Sequence, residues 1–267
     1  MGVSLLLRVL CKRPRHPAPA TELTSAYRLD HLPLDEIARY RTAFGFDDAR
    51  IPLTWWYLPA QRAHLATMLA PGFPFRIAGL VHMDNALRAH CEPVPGQALL
   101  IETVLRFPPP SSSGALRCVL ETTGSADGEP VFSCTSTYLV RRGAGGGKRH
   151  EDAAAPQGPA LAQWRLDAAA GRRYARLSGD WNPIHLAGWS ARLMGMRAPI
   201  IHGMHTLAAG CAALEQETGK HARAIDCRFR MPVALGSSVS LSFDAAAREF
   251  VVAAGGKPAV TGSIMLA

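Results

Sequence analysis

Residues Gly179-Asp180-Trp181-Asn182-Pro183-Ile184-His185 place a carboxylate, an amide and an imidazole close together in the chain. At residue frequencies of about one in twenty, the pattern Gly-Asp-x-Asn-Pro-x-His arises by chance in roughly one of ten thousand chains of this length. Pro183 biases Asn182 away from helical geometry, and Gly179 tolerates a sharp exit. The run is therefore read as a bend that ends a short helix beginning near Asp167. Asp180 and His185 face one cavity from opposite sides of that bend. Asn182 orients a water or a neighbouring carboxylate through its amide. A carboxylate and an imidazole held around one water can add it to an activated double bond or remove it. The plain structural alternative is an Asx-type loop with a buried, hydrogen-bonded histidine.

The next segment, Pro199-Ile-Ile-His-Gly-Met204, favours the chemical reading. Gly203 stands at the start of an Ala-rich stretch in which Met204, Leu207, Ala208, Cys211 and Leu214 recur at helical spacing. Its N–H is a free donor at a helix N-terminus, where the dipole favours negative charge. Such a donor suits the enolate oxygen of a thioester. His202 and His205 flank Gly203, with expected roles in orienting the loop and packing. Asp180, His185, His202 and His205 could together offer metal ligands. His202-x-x-His205 is a poor zinc spacing, however, so neither a metal nor a cofactor is expected.

Working outward, the chain contains itself twice, at a spacing of about 137 residues, as a duplicated domain does. Tyr27-Arg-Leu-Asp30 is echoed by Trp164-Arg-Leu-Asp167, Tyr40 and Gly45 by Tyr174 and Gly179, and Pro93-Val94 with Gly96 by Pro232-Val233 with Gly236. Each half reads as strand, helix, longer helix and several strands, an α+β pattern with a largely antiparallel sheet. Alternating strand patterns occupy residues 98–107, 115–123 and 131–140, then 225–231 and 239–243. The expected domains are a degenerate repeat over 1–141, a flexible Gly- and Ala-rich linker over 142–159, and a working repeat over 160–267. Where the second half has the Asn-Pro-x-His run, the first has Gly45-Phe46-Asp47-Asp48-Ala49. One site is therefore expected, in the second half, with the first supplying scaffold and an acyl groove.

Composition sets the outer bounds. The 267 residues are 48% hydrophobic and 19% charged, as in a soluble globular protein. Of 29 basic residues only Lys12, Lys148, Lys220 and Lys257 are lysine, and the net charge is +8. Arginine forks onto phosphate oxygens, so a phosphate-bearing partner fits, as does an ordinary basic surface. No basic stripe interleaved with aromatics points to nucleic acid. The six cysteines form no C-x-x-C pair and are read as reduced and mostly buried. The apolar run over residues 3–10 is too short to span a membrane and makes a poor signal peptide. No membrane partner and a cytoplasmic location are the resulting expectations.

Tyr174 to His185, followed by Pro199 to Met204, resembles the MaoC-like hydratase family, which includes the (R)-specific enoyl-CoA hydratases and the 3-hydroxyacyl-thioester dehydratases. The resemblance implies a double hot dog: two tandem repeats, each a central helix wrapped by an antiparallel sheet. It implies that Asp180 and His185 are the catalytic pair, that Asn182 assists and that the Gly203 N–H binds the thioester oxygen. It further implies hydration of trans-2-enoyl thioesters of CoA or acyl carrier protein to (R)-3-hydroxyacyl thioesters. In that scheme Asp180 takes the water proton and His185 protonates C2. Arg223, Arg228 and Arg230 are candidates for the phosphates, and a homodimer is possible. Several relatives carry a Ser eight residues after the glycine, near the catalytic acid; Cys211 stands there in this chain, a weaker hydrogen-bond partner. An acyl-thioester hydrolase and a non-catalytic acyl-thioester-binding subunit are the alternatives.

Overall fold

A computed structural model describes Val9, Lys12 and residues 22–47, 50–94, 96–140 and 160–267. The expected linker over 142–159, Cys11 and most of the N-terminal apolar run lie outside the described residues. The chain forms two compact units. One contains residues 2–37 and 48–146; the other contains residues 38–47 and the chain from 147 onward.

In the first unit, β1 (Glu22–Leu29) leads through a 3-10 turn (Leu53–Trp56) into helix α2 (Tyr57–Leu69), and the strands β2 (Leu80–Ala89), β3 (Leu99–Arg106), β4 (Leu116–Ala126) and β5 (Glu129–Val140) follow. Helix α1 (Leu34–Phe44) intervenes in sequence, and its residues from Ala38 belong to the second unit. The sheet order is β1-β3-β4-β5-β2, with antiparallel neighbours throughout. Helix α2 packs across β1, β3 and β4 and buries residues on every side, including Leu58, Ala60, Ala63 and His64. Strand β3 alternates buried and outward positions, as the period-two reading predicts.

The second unit repeats the plan. Strand β6 (Ala162–Arg165) precedes helices α3 (Ala170–Ser178), α4 (Gly188–Leu193) and α5 (Gly203–Thr218); strands β7 (Ala222–Phe229), β8 (Ser238–Asp244), β9 (Glu249–Ala254) and β10 (Lys257–Leu266) follow. The sheet order is β7-β10-β9-β8-β6. Read from its other end this is β6-β8-β9-β10-β7, element for element the order of the first unit. The architecture is the double hot dog, α+β, with α2 and α5 as the two central helices. Small residues let the sheet close on α5: a Cβ on Gly210 would sit 3.2 Å from Val252. The paired glycines after α1 and α3 hold matching left-handed conformations, Gly45 at φ 77° and Gly179 at φ 75°.

Two expectations need adjustment. Helix α3 runs from Ala170, three residues after the expected start near Asp167. Asp167 accepts the Ala169 N–H at 2.7 Å and a forked ion pair from Arg173. The stripe assigned to α5 is buried as expected, but Thr206, Gly210 and Ala212 are buried too, because the sheet wraps more than one face. Among the described residues no helix is long and apolar enough to cross a membrane.

Gly124 faces Phe132 across β4 and β5. A Cβ there would lie 2.1 Å from the Phe132 ring, which is fully buried and stacks on Trp56 at 4.7 Å. Gly124→Ala is expected to cost about 1–3 kcal/mol through overpacking, read as a lower urea midpoint.

Candidate active site

Asp180 and His185 converge because the bend between them is tied down at every step. Gly179 ends α3, its N–H bonding the Ala175 carbonyl at 2.9 Å. The Ser178 hydroxyl accepts the Asp180 N–H at 3.1 Å, and Asp180 Oδ1 accepts the Asn182 N–H at 3.1 Å. Asn182 holds φ −57° and ψ 124°, the extended geometry that the following proline imposes. Pro183–His185 then forms one 3-10 turn, capped by Asn182 Oδ1, which accepts the Ile184 N–H. The carbonyl oxygen of Asn182 is thus engaged in holding the turn, a task the sequence reading did not foresee.

His185 is anchored by its ring. Its Nδ1 lies 2.9 Å from the carbonyl oxygen of Ile200. A carbonyl only accepts, so Nδ1 carries the proton and Nε2 of the neutral ring is a bare acceptor. The Ile200 segment is itself fixed, with Ile200 N–H on the Ile184 carbonyl at 3.1 Å and Ile201 N–H on the Val233 carbonyl at 2.8 Å. Burial lowers the His185 pKa, opposed in part by the Asp180 carboxylate and the Ile200 bond.

His202 completes the cluster. Its ring stacks on His185 with centroids 3.7 Å apart, and its Nε2 bonds the Asp180 carbonyl at 3.0 Å. Burial, aided by His185, pushes its pKa down to about 3. Asp180, His185 and His202 offer ligand-type atoms that all lie within 4.8 Å of one another, so three of the four residues considered for a metal do gather. His205 is outside that group. Its ring meets Phe44 at 5.2 Å and Tyr174 at 5.5 Å. Each clustered imidazole has one nitrogen committed to a backbone carbonyl, which leaves the other nitrogen of each neutral ring an acceptor.

Gly203 is the first residue of α5 and is exposed. Its N–H has no acceptor within the helix. A Cβ there would sit 2.8 Å from the Phe229 ring, so packing also calls for glycine. Cys211, considered as a neighbour of the acid, turns its thiol to Glu215 Oε1 at 3.7 Å, and burial pushes its pKa well up. Arg228 is exposed on β7, and Arg230 bonds Thr261 Oγ1.

One residue with a direct bearing on the site went unread in the sequence. Gly171, on α3, lets the His185 carbonyl approach so closely that a Cβ would lie 2.0 Å from its oxygen. A glycine inside a short amphipathic helix was the available signal.

The chain is similar to several known proteins. The description "MaoC like domain" matches residues 154–252, the half that carries the cluster. The chain is 33% identical over 179 residues to the 3-hydroxyacyl-thioester dehydratase Y of Mycobacterium tuberculosis, covering 62% of each chain. It is 27% identical over 219 residues to dehydratase X of the same organism, covering 80% of this chain and 78% of that one. The crystal structure of HtdX from that organism shares the fold at a TM-score of 0.71 and 23% identity, over 90% of this chain and 99% of that one.

Two outcomes follow from the packing. Glycine to alanine within a helix ordinarily gains about 0.5–1 kcal/mol. Gly171→Ala is expected instead to lose about 1–3 kcal/mol and to displace His185, measured as a lower melting point together with lower turnover. Acid should also unfold the protein early. His64, His202 and His205 have pKa values lowered to about 3, 3 and 4 in the fold, chiefly by burial, against 6.5 ordinarily. As pH falls below 6.5 the unfolded chain takes up protons that the fold refuses. Stability is therefore intact above 6.5 and is lost down to about 4, by up to about 1.4 kcal/mol per histidine per pH unit, read from urea midpoints at pH 7 and 5.

Proposed function

We infer that the chain is a member of the MaoC-like hydratase family, and we propose that it reversibly hydrates trans-2-enoyl thioesters to (R)-3-hydroxyacyl thioesters. The observation that carries the proposal is the His185 tautomer. With Nδ1–H given to the Ile200 carbonyl, Nε2 is a base beside the Asp180 carboxylate.

The chemistry proceeds on one water held by Asp180 and His185. Its oxygen attacks C3 while His185 Nε2 takes its proton. This gives the role of base to His185, where the sequence reading gave it to Asp180. The imidazolium that forms sits beside the Asp180 carboxylate, which stabilises it. Charge moves onto the thioester oxygen and is met by the Gly203 N–H at the positive end of α5. The pair then returns one proton to C2. Both the hydroxyl and the added hydrogen come from water, and the pair ends in its starting protonation state. The thioester itself activates the double bond, so no step calls for a metal or a cofactor. Thioesters of CoA or of an acyl carrier protein are the proposed substrates. The cytoplasm is the proposed location, and a homodimer a proposed assembly.

Asp180→Asn and His185→Gln should each lower turnover of a trans-2-enoyl-CoA by about 100- to 10,000-fold, followed as loss of enoyl absorbance, with the melting point retained. Wild-type turnover in both variants would sink the assignment. EDTA should leave the rate unchanged. Because burial lowers the His185 pKa, its base form persists in acid, and kcat should hold its plateau below pH 6.5, the ordinary imidazole value. A fall centred at or above that value would contradict the role given to Nε2.

A further inference from the structure

The hydration chemistry leaves His202 without a task, yet the residue contacts both Asp180 and His185. Its Nε2 must carry the proton, because the Asp180 carbonyl 3.0 Å away can only accept. Its ring lies against His185 at 3.7 Å, tilted by only 27°. Its own backbone leads directly into Gly203. On its other side the Tyr174 ring packs at 4.8 Å. The remaining nitrogen, Nδ1, is buried with no hydrogen-bond partner among the described residues.

That orphaned nitrogen is informative. Leaving a buried acceptor unmade is unfavourable, and an apolar ring of similar size would avoid the penalty. A histidine that tolerates it must be needed at its other end. We infer that His202 is a positioning residue whose Nε2–H holds the Asp180 carbonyl while its ring face sets the plane of His185. One side chain thereby registers the acid, the base and the start of α5 against one another. The inference deepens the hydratase reading and rests on Asp180 and His185 being the reacting pair.

The role requires a neutral ring. The titratable groups facing His202 are Asp180 from the bend, His185 from the 3-10 turn, Tyr174 from α3 and His205 from α5. Burial and His185 outweigh the Asp180 carboxylate and keep His202 unprotonated. It therefore does not compete with His185 for the water proton.

Glutamine and asparagine separate positioning from packing. A glutamine amide nitrogen reaches about where Nε2 stands; an asparagine amide is one methylene short and reaches only to Nδ1. His202→Gln should keep kcat close to wild type. His202→Asn and His202→Phe should lower kcat by about 100-fold, the scale of a 1 Å misplacement of a reacting group, with KM little changed. Equal losses in the glutamine and asparagine variants, full activity in the phenylalanine variant, or a change confined to KM would overturn the inference. A second readout does not depend on turnover. The Nδ1 proton of His185, bonded to Ile200, should give a slowly exchanging downfield NMR signal in the wild type and His202→Gln, and lose it in the other two variants. Its survival in all three variants would also overturn the inference. A wild-type protein that fails to hydrate any enoyl thioester, yet shows this NMR pattern, would sink the hydratase reading and leave the positioning role standing.

Discussion

The bond from His185 Nδ1 to the Ile200 carbonyl is the constraint on which the rest of the site depends. It fixes the tautomer, and so decides which nitrogen can accept a proton. It also anchors one edge of the ring, whose face His202 stacks against. The carbonyl can do this because residues 199–201 are held from two sides. The Ile200 N–H returns to Ile184 in the bend, while Leu235 N–H bonds Pro199 and Ile200 bridges to Ala234. Base and bend are therefore parts of one hydrogen-bonded loop rather than two loops that happen to meet. This is the preorganisation that acid–base catalysis needs, since a side chain free to rotate would lose it.

Burial supplies the second half of the chemistry. His185, His202 and His205 all have depressed pKa values, with desolvation the largest cause each time. A protonated imidazole in this cluster is unfavourable, and the Asp180 carboxylate offsets only part of that cost at His185 and His202. The same burial makes Cys211 a poor acid, and its thiol faces Glu215, which also accepts the Ala222 N–H at 3.0 Å. The serine-to-cysteine departure thus falls in a separate small network near the end of α5.

The two units share a strand order but differ in the chain that leads to their central helices. Between Gly179 and Gly203 the chain inserts the bend, α4 and the 199–201 segment, whereas only seven residues separate Gly45 from Leu53 in sequence. The polar groups of the first unit are spent internally. His64 on α2 bonds Thr122, which also meets Thr103 at 2.7 Å, and Asn85 bonds Ser136 at 2.9 Å.

The sequence by itself determined the repeat, the antiparallel strands with their alternating faces, the stop at Gly179 and the grouping of Asp180 with His185. These rest on local rules: period-two burial, the backbone freedom of glycine and the restriction that proline places on its predecessor. Only the tertiary structure decided that residues 38–47 join the second unit, that Gly171 admits the His185 carbonyl, that Asn182 caps a turn, and that His202 rather than His205 gathers with Asp180 and His185. Each of these turns on a contact between atoms far apart in the chain. The tautomer of His185 belongs with them, because it is set by a carbonyl 15 residues away that no local pattern could have named.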